Sequence, residues 1–302
     1  MPVSDFSHLP WIVPYNDILA IGGTGCIELI EITNCYGGAA WARYHYTQTS
    51  PLIISSRSLG ITTRYVIKEG TSDLKLRASI SAGGIETVKL SRNTVQVTYA
   101  GLGGGGVGAT MCRALARDVQ DYDLTPAGGS KMSRGTITLP RRTRVIIGVD
   151  DTDTTEEGAT WSLVNNIAAM VDSRTLRYVS HAIVQLYPVR AKTKNCVATV
   201  VEFASLGGKK PIRNFKERLE EYSLSENTGM AVLRSFDAEE LAKYGNAARS
   251  GEVTRSAALE AADSAGVHVC LDGRGVIGAI ASIPFFSQSD QSVKLDKITH
   301  VS

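Results

Sequence analysis

No uninterrupted apolar run in this 302-residue chain approaches the roughly 20 residues that a membrane-spanning helix needs. Its start, MPVSDFSHLPWIV, lacks a basic segment followed by a long apolar one, so we expect a cytoplasmic protein with no membrane partner. Charge of one sign is also lacking. The 32 Lys and Arg nearly balance the 30 Asp and Glu, and a net charge of +2 supplies no strong field for steering DNA or tRNA. The cysteines Cys26, Cys35, Cys112, Cys196 and Cys270 are scattered and form no C-x-x-C pair. That spacing argues against a zinc, iron–sulfur or redox-dithiol site and leaves buried free thiols as the expectation.

A hydrophobic content of 43% is enough for a sizeable core, and the length suggests two domains. In the first half IELIEIT, SPLIISSRS, TTRYVIKEG and NTVQVTYA are β-branched or alternating runs separated by turn residues, which predicts an α/β or α+β domain. AGLGGGGVGATMCRALARD (100–118) reads as a strand end, a glycine-rich loop and an amphipathic helix. Residues 119–143 hold Pro126, Gly128, Gly129 and Gly135 with little apolar periodicity, which places a boundary near residue 142 and divides the chain into domains 1–142 and 143–302.

From there RVIIGV (144–149) is a buried strand, DDTDTTEEG an acidic turn, and Thr160 to Val171 a helix with Leu163, Ile167 and Met170 on one face. SHAIVQLYP and CVATVVEFA predict strands, KKPIRNFKERLEEYS a helix, and the Ala-rich stretch from Asp237 to Gly266 helices broken at glycines. A last strand, VHVCLDGRGVIGAIASIPF, carries a Gly-x-Gly interruption. The alternation predicts a mixed α/β, ferredoxin-like layered second domain.

Asp150-Asp151-Thr152-Asp153 sets three carboxylates where an apolar strand meets a turn. Such an arrangement calls for a cation, and hard oxygen ligands suit Mg²⁺ bridging to substrate phosphates. Gly158 allows close backbone approach just before Thr160. The alternative is a solvated turn whose Asp and Thr side chains make local capping bonds.

GVDDTDTTEEGAT (148–160) resembles the signature that opens the kinase-like domain of archaeal tRNA-isoleucine agmatidine synthetase. LYPVRAKTKN (186–195), SENTGMAV (225–232) and DGRGVIGAIASI (272–283) resemble further stretches of that family in the same order. The resemblance implies binding of ATP and Mg²⁺. Asp150, Asp151 and Asp153 would form the metal centre. Asp151, Thr160 and Lys192 would be the catalytic candidates, and Gly158, Lys194, Gly273 and Gly275 would contact the nucleotide. This chain departs from the pattern by one extra residue before Gly158, by Trp161-Ser162 after Thr160, and by Asn195 directly after Lys194. It ends at Ser302, which in this reading leaves no room for that family's tRNA-gripping OB-fold and zinc ribbon, so tRNA is not expected as a partner.

CYGGAAWARYHY (35–46), SPLIISSRSLGITTRY (51–65), YAGLGGGGVGAT (99–110) and GVDDTDTTEEGATW together resemble the methanogenesis marker protein 11 family over nearly the whole chain. This implies a role in methanogenesis or in making its enzymes and cofactors.

Two features of the first half stand apart. Gly101-x-Gly103-x-x-Gly106 between a strand and a helix would let backbone N–H groups approach a pyrophosphate, and Gly103, Gly105, Gly106 and Gly108 are cofactor-binding candidates; tight packing or a lid is the alternative. GGGGVGAT has P-loop spacing but carries Ala109 where the lysine belongs. In 35–46, read as a strand, Trp41, Arg43, Tyr44, His45 and Tyr46 could line a pocket for an aromatic or anionic substrate, or alternate into core. The expected function is an ATP- and Mg²⁺-dependent phosphoryl-transfer or carbonyl-activating enzyme acting on an unidentified acceptor. The alternative is a non-catalytic nucleotide-binding factor that assembles or matures a methanogenic enzyme.

Overall fold

Alternating and β-branched runs become thirteen strands in the computed structural model, which describes residues 6–190, 192–193, 195–208 and 210–294. The chain divides into two compact units, Met1–Arg142 and Thr143–Ser302.

In the first unit the elements run β1 (Asp17–Gly22), β2 (Cys26–Ile32), α1 (Tyr36–Thr49), β3 (Ile53–Leu59), β4 (Thr62–Lys68), β5 (Gly70–Thr71), β6 (Gly83–Leu90) and β7 (Thr94–Leu102). The short helices α2 (Gly104–Ala109) and α3 (Met111–Ala114), then β8 (Asp121–Leu124) and β9 (Met132–Asp150) follow. The strand order is β3-β4-β2-β1-β9-β7-β6-β5, with β1 parallel to β9 at Ala20↔Arg141 and the other pairs antiparallel. Only the residues of β9 up to Arg142 belong here. Ile18, Leu29, Ile67, Ile85, Val97 and Ile137 fill the core.

An ion pair lies inside that core. Arg113 is fully buried and forks onto Glu31, Nε to Oε1 at 2.7 Å and Nη2 to Oε2 at 2.8 Å. The rings of Tyr15, Tyr46 and Tyr99 lie 4.5, 4.9 and 4.5 Å from its guanidinium, and the Tyr99 hydroxyl donates to Glu31 at 3.0 Å.

Three readings of this half are corrected. Residues 35–46 form α1 rather than a strand: Ala39, Ala42 and Tyr46 are buried at helical spacing. The glycine run is helical over Gly104–Ala109 instead of a loop. The stretch 119–143 contains β8 and the start of β9. There Ser133, Gly135, Ile137 and Leu139 alternate inward, and the small size of the first two hides the period-two pattern from an apolar count.

The second unit starts with the rest of β9 and adds α4 (Thr160–Val171), β10 (Leu176–Gln185), β11 (Val197–Ser205), α5 (Lys210–Tyr222), β12 (Gly229–Leu233), α6 (Ala242–Ser250), α7 (Arg255–Ser264), β13 (His268–Asp272) and α8 (Val276–Ser282). The strands order as β10-β11-β9-β12-β13, antiparallel throughout. One face packs Val145, Ile147 and Val149 under α4 and α5, while the other sets Ile146 against α6, α7 and α8. The predicted mixed α/β class with a layered second half is the fold observed. Two local readings differ. The buried face of α4 is Val164, Ile167 and Ala168, with Met170 exposed. The stretch after Gly275 turns into α8 instead of continuing the strand.

Glu31→Ala strands the buried Arg113 charge and should destabilise the protein by about 3–5 kcal/mol in denaturant unfolding. Glu31→Leu combined with Arg113→Met should lose much less, because no unpaired charge remains.

Candidate functional site

Four glycines decide how closely backbone approaches backbone around the end of β9. A Cβ on Gly148 would sit 1.9 Å from the Ala279 carbonyl oxygen, one on Gly229 would sit 2.1 Å from the Gly275 carbonyl carbon, and one on Gly275 would sit 2.5 Å from the Asp150 carbonyl oxygen. At Gly278 a Cβ would lie 1.9 Å from Asp150 Oδ2. The bare backbone of α8 therefore rests directly on β9 and β12, and the Asp150 carboxylate lies in the space that the missing Gly278 side chain leaves.

The chain leaves β9 through Asp151, which holds a left-handed backbone (φ +56°). Aspartate tolerates that region better than most residues, yet it costs of order 1 kcal/mol or more and concentrates at functional sites. The Asp151 N–H donates to Asp150 Oδ1 at 2.8 Å, and the Arg274 Nε–H donates to Asp151 Oδ2 at 3.1 Å. Burial, then the neighbouring Asp151, push the Asp150 carboxyl well above the usual carboxylate range. Burial raises Asp151 as well, against the opposing pull of Arg274.

Hydrogen bonds hold the acidic turn in place. Buried Thr160, the first residue of α4, accepts from the Thr152 N–H at 3.2 Å and hydroxyl at 3.0 Å, and donates to Asp153 Oδ1 at 3.4 Å. Gly158 has φ +97°, and a side chain there would meet Asp153. From the 223–228 segment the Leu224 N–H donates to the Thr152 carbonyl at 2.9 Å, and the Thr228 hydroxyl donates to the Asp151 carbonyl at 3.1 Å.

Asp150 and Asp151 line two cavities at once. One, of about 250 Å³, also has Asp153, Gly158, Thr160 and Thr193 in its wall. The other, of about 300 Å³, is lined by Lys192, Cys196, Arg274 and Gly278. The structure thus brings Asp150, Asp151, Asp153, Gly158, Thr160 and Lys192 together. Lys194 lies outside the described residues. Gly273 and Gly275 are taken up by backbone contact with Asn227 and Asp150 respectively. Gly103, Gly105, Gly106 and Gly108 lie in the first unit, where α2 has only six residues. Arg274 went unnoticed as a functional residue. Its signal was a lone cation between two glycines in the stretch that resembles the synthetase family.

Among the described residues no three His, Cys, Asp or Glu side chains gather as a closed metal cage. The open pair of carboxylates still fits Mg²⁺, which takes one or two carboxylates and completes its shell with water and phosphate oxygens.

Residues 146–218 match the model of the TiaS TCKD domain. The uncharacterized protein MJ0921 of Methanocaldococcus jannaschii is 36% identical over 292 residues, covering 94% of this chain and 97% of that protein. Among solved structures, the complex of TiaS with its isoleucine tRNA and ATP matches 47% of this chain and 36% of its own at 21% identity and a TM-score of 0.43. Apo TiaS, the agmatidine synthetase of that tRNA, matches 47% and 35% at 20% and 0.41. The chain spans about a third of the length of those structures.

In metal-free protein the raised Asp150 carboxyl binds its proton more tightly folded than unfolded. Stability should therefore fall as pH rises from the unfolded value near 4 through the raised folded value. Asp150→Asn should raise the thermal midpoint at pH 7, and the gain should shrink toward pH 4 in scans made with a chelator present.

Proposed function

We propose that this chain, which belongs to one family with the uncharacterized protein MJ0921 of Methanocaldococcus jannaschii, is an ATP-using, ligase-like enzyme that activates an oxygen of its acceptor by phosphorylation. The observation that carries this reading is the placement of Asp150 and Asp151 between two small cavities, with Lys192 in one and Thr160 and Asp153 in the other. The family match over residues 146–218 supports it independently.

Asp150 and Asp151 would hold Mg²⁺, with Asp153 beside them. When bound, the metal neutralises phosphate charge and aligns the phosphoryl group for in-line attack. Arg274 keeps the Asp151 carboxylate aimed by its hydrogen bond. Lys192 supplies positive charge at the wall of the larger cavity, where transferring phosphoryl oxygens gain negative character. Thr160 acts through position: its hydroxyl is engaged with Thr152 and Asp153, so it orders the acidic turn.

For the acceptor we keep a methanogenic enzyme or cofactor precursor. The resemblance to methanogenesis marker protein 11 and the source of the relative MJ0921 support this reading. TiaS is solved with an isoleucine tRNA bound, so tRNA is the competing acceptor. The net charge of +2 weighs against it.

Incubation with γ-labelled ATP, Mg²⁺ and a methanogen extract should transfer or release label. Asp151→Asn should lower turnover by about 100-fold or more and Arg274→Ala by about 10-fold. Nucleotide binding without turnover, with co-purification of a methanogenic enzyme, would favour the assembly factor. Tight, sequence-selective tRNA binding at physiological salt would overturn the choice of acceptor.

A further inference from the structure

The first unit carries an open cavity of about 1140 Å³ that the proposed chemistry of the second unit does not use. Two indoles, Trp11 and Trp41, stand in its wall, together with Tyr15 and the glycine helix α2. A volume of this order accommodates a cofactor-sized molecule.

The glycines of α2 divide by what a side chain would meet. Gly103 has φ +57°, a Cβ on Gly105 would come 2.7 Å from Trp41 Cη2, and one on Gly106 would come 3.0 Å from Ser133 Oγ. Backbone conformation or packing explains those three. Gly104 and Gly108 are different: neither has a positive φ, a Cβ on either meets nothing within 4 Å, and both line the cavity. In a helix glycine is poorer than alanine or leucine, so two glycines with open space before them cost stability that neither sterics nor conformation requires. What they provide is bare backbone in the wall of a cavity that aromatic rings also line.

Tyr15 is a second, independent feature. It is 7% exposed and lines the cavity, and its hydroxyl has no hydrogen-bond partner among the described residues. Burial pushes its ionisation far above the ordinary tyrosine range, so the hydroxyl stays protonated and available to donate. Arg113, by contrast, is committed to Glu31, so the positive charge left in the wall is that of the exposed Lys131 at its edge.

We propose that this cavity binds a planar, mostly apolar heteroaromatic molecule, which slides against the bare Gly104 and Gly108 backbone beside Trp11 and Trp41 and accepts a hydrogen bond from Tyr15. Glycine at 104 and 108 lets a flat ring approach the backbone.

The test uses the full chain carrying Trp161→Phe, so that indole emission comes from Trp11 and Trp41 alone, titrated with 8-anilinonaphthalene-1-sulfonate. One saturable site that quenches indole emission is expected. Gly108→Leu and Gly104→Leu should each weaken binding about tenfold while the thermal midpoint stays level or rises, and Tyr15→Phe should weaken it about fivefold, the effect of one hydrogen bond. Unchanged affinity in both leucine variants, or binding that leaves indole emission untouched, would overturn the proposal. Loss of the fold in both would do the same, since it would contradict the open space before these glycines.

Discussion

Direct contact between the backbone of α8 and the ends of β9 and β12 is the constraint on which the second unit depends. Helices normally stand off a sheet by the thickness of two side chains. Here Gly148, Gly229, Gly275 and Gly278 remove that thickness, and any side chain at these positions would overlap main-chain or carboxylate atoms. At Gly148, Gly229 and Gly275 the contact is with backbone, so no rotamer change relieves it. The C-terminal end of β9 is thereby trapped between α8 on one face and the helices α4 and α5 on the other.

That trap generates the electrostatics of the candidate site. A carboxylate at the end of an exposed strand would be solvated and ordinary. Held against Gly278 and next to Asp151, Asp150 loses water and gains a like charge, and both effects favour the proton over the ion. Arg274, carried by the same Gly-Arg-Gly turn that permits the close approach, offsets part of the charge through Asp151. A cation carrying phosphate oxygens would offset the rest. Packing and proposed chemistry therefore rest on the same few residues, and Gly273 and Gly275 act as spacers in the fold.

Much of this was legible in the sequence where one physical signal acted alone. The buried strand RVIIGV, the acidic turn and the helix beginning at Thr160 stand where apolar runs and their interruption put them. Legibility failed where glycine carried two meanings. The run 103–108 reads as a loop suited to phosphate, with a lid or tight packing as the alternative, but the chain is helical over Gly104–Ala109, and the Gly-x-Gly at 273–275 reads as a break within a strand but is a turn into α8. A missing side chain signals freedom, closeness or open space alike, and only the neighbours in three dimensions distinguish them. The helix at 36–49 is hard to see in the sequence because its glycines and aromatics hide a buried stripe of Ala39, Ala42, His45 and Tyr46. The partner of Arg274 is hidden in the sequence, because its pairing with Asp151 spans more than a hundred residues of chain.

The most direct test of the central claim is calorimetric titration of the full chain with a non-hydrolysable ATP analogue, with and without Mg²⁺, comparing the natural chain with Gly278→Ala. A methyl group at 278 displaces the Asp150 carboxylate without removing any charge. Binding that requires Mg²⁺ and is lost or weakened at least about tenfold in Gly278→Ala, with the variant still folded, is the predicted result. Equally tight binding in chelator, or full affinity in the variant, would contradict it.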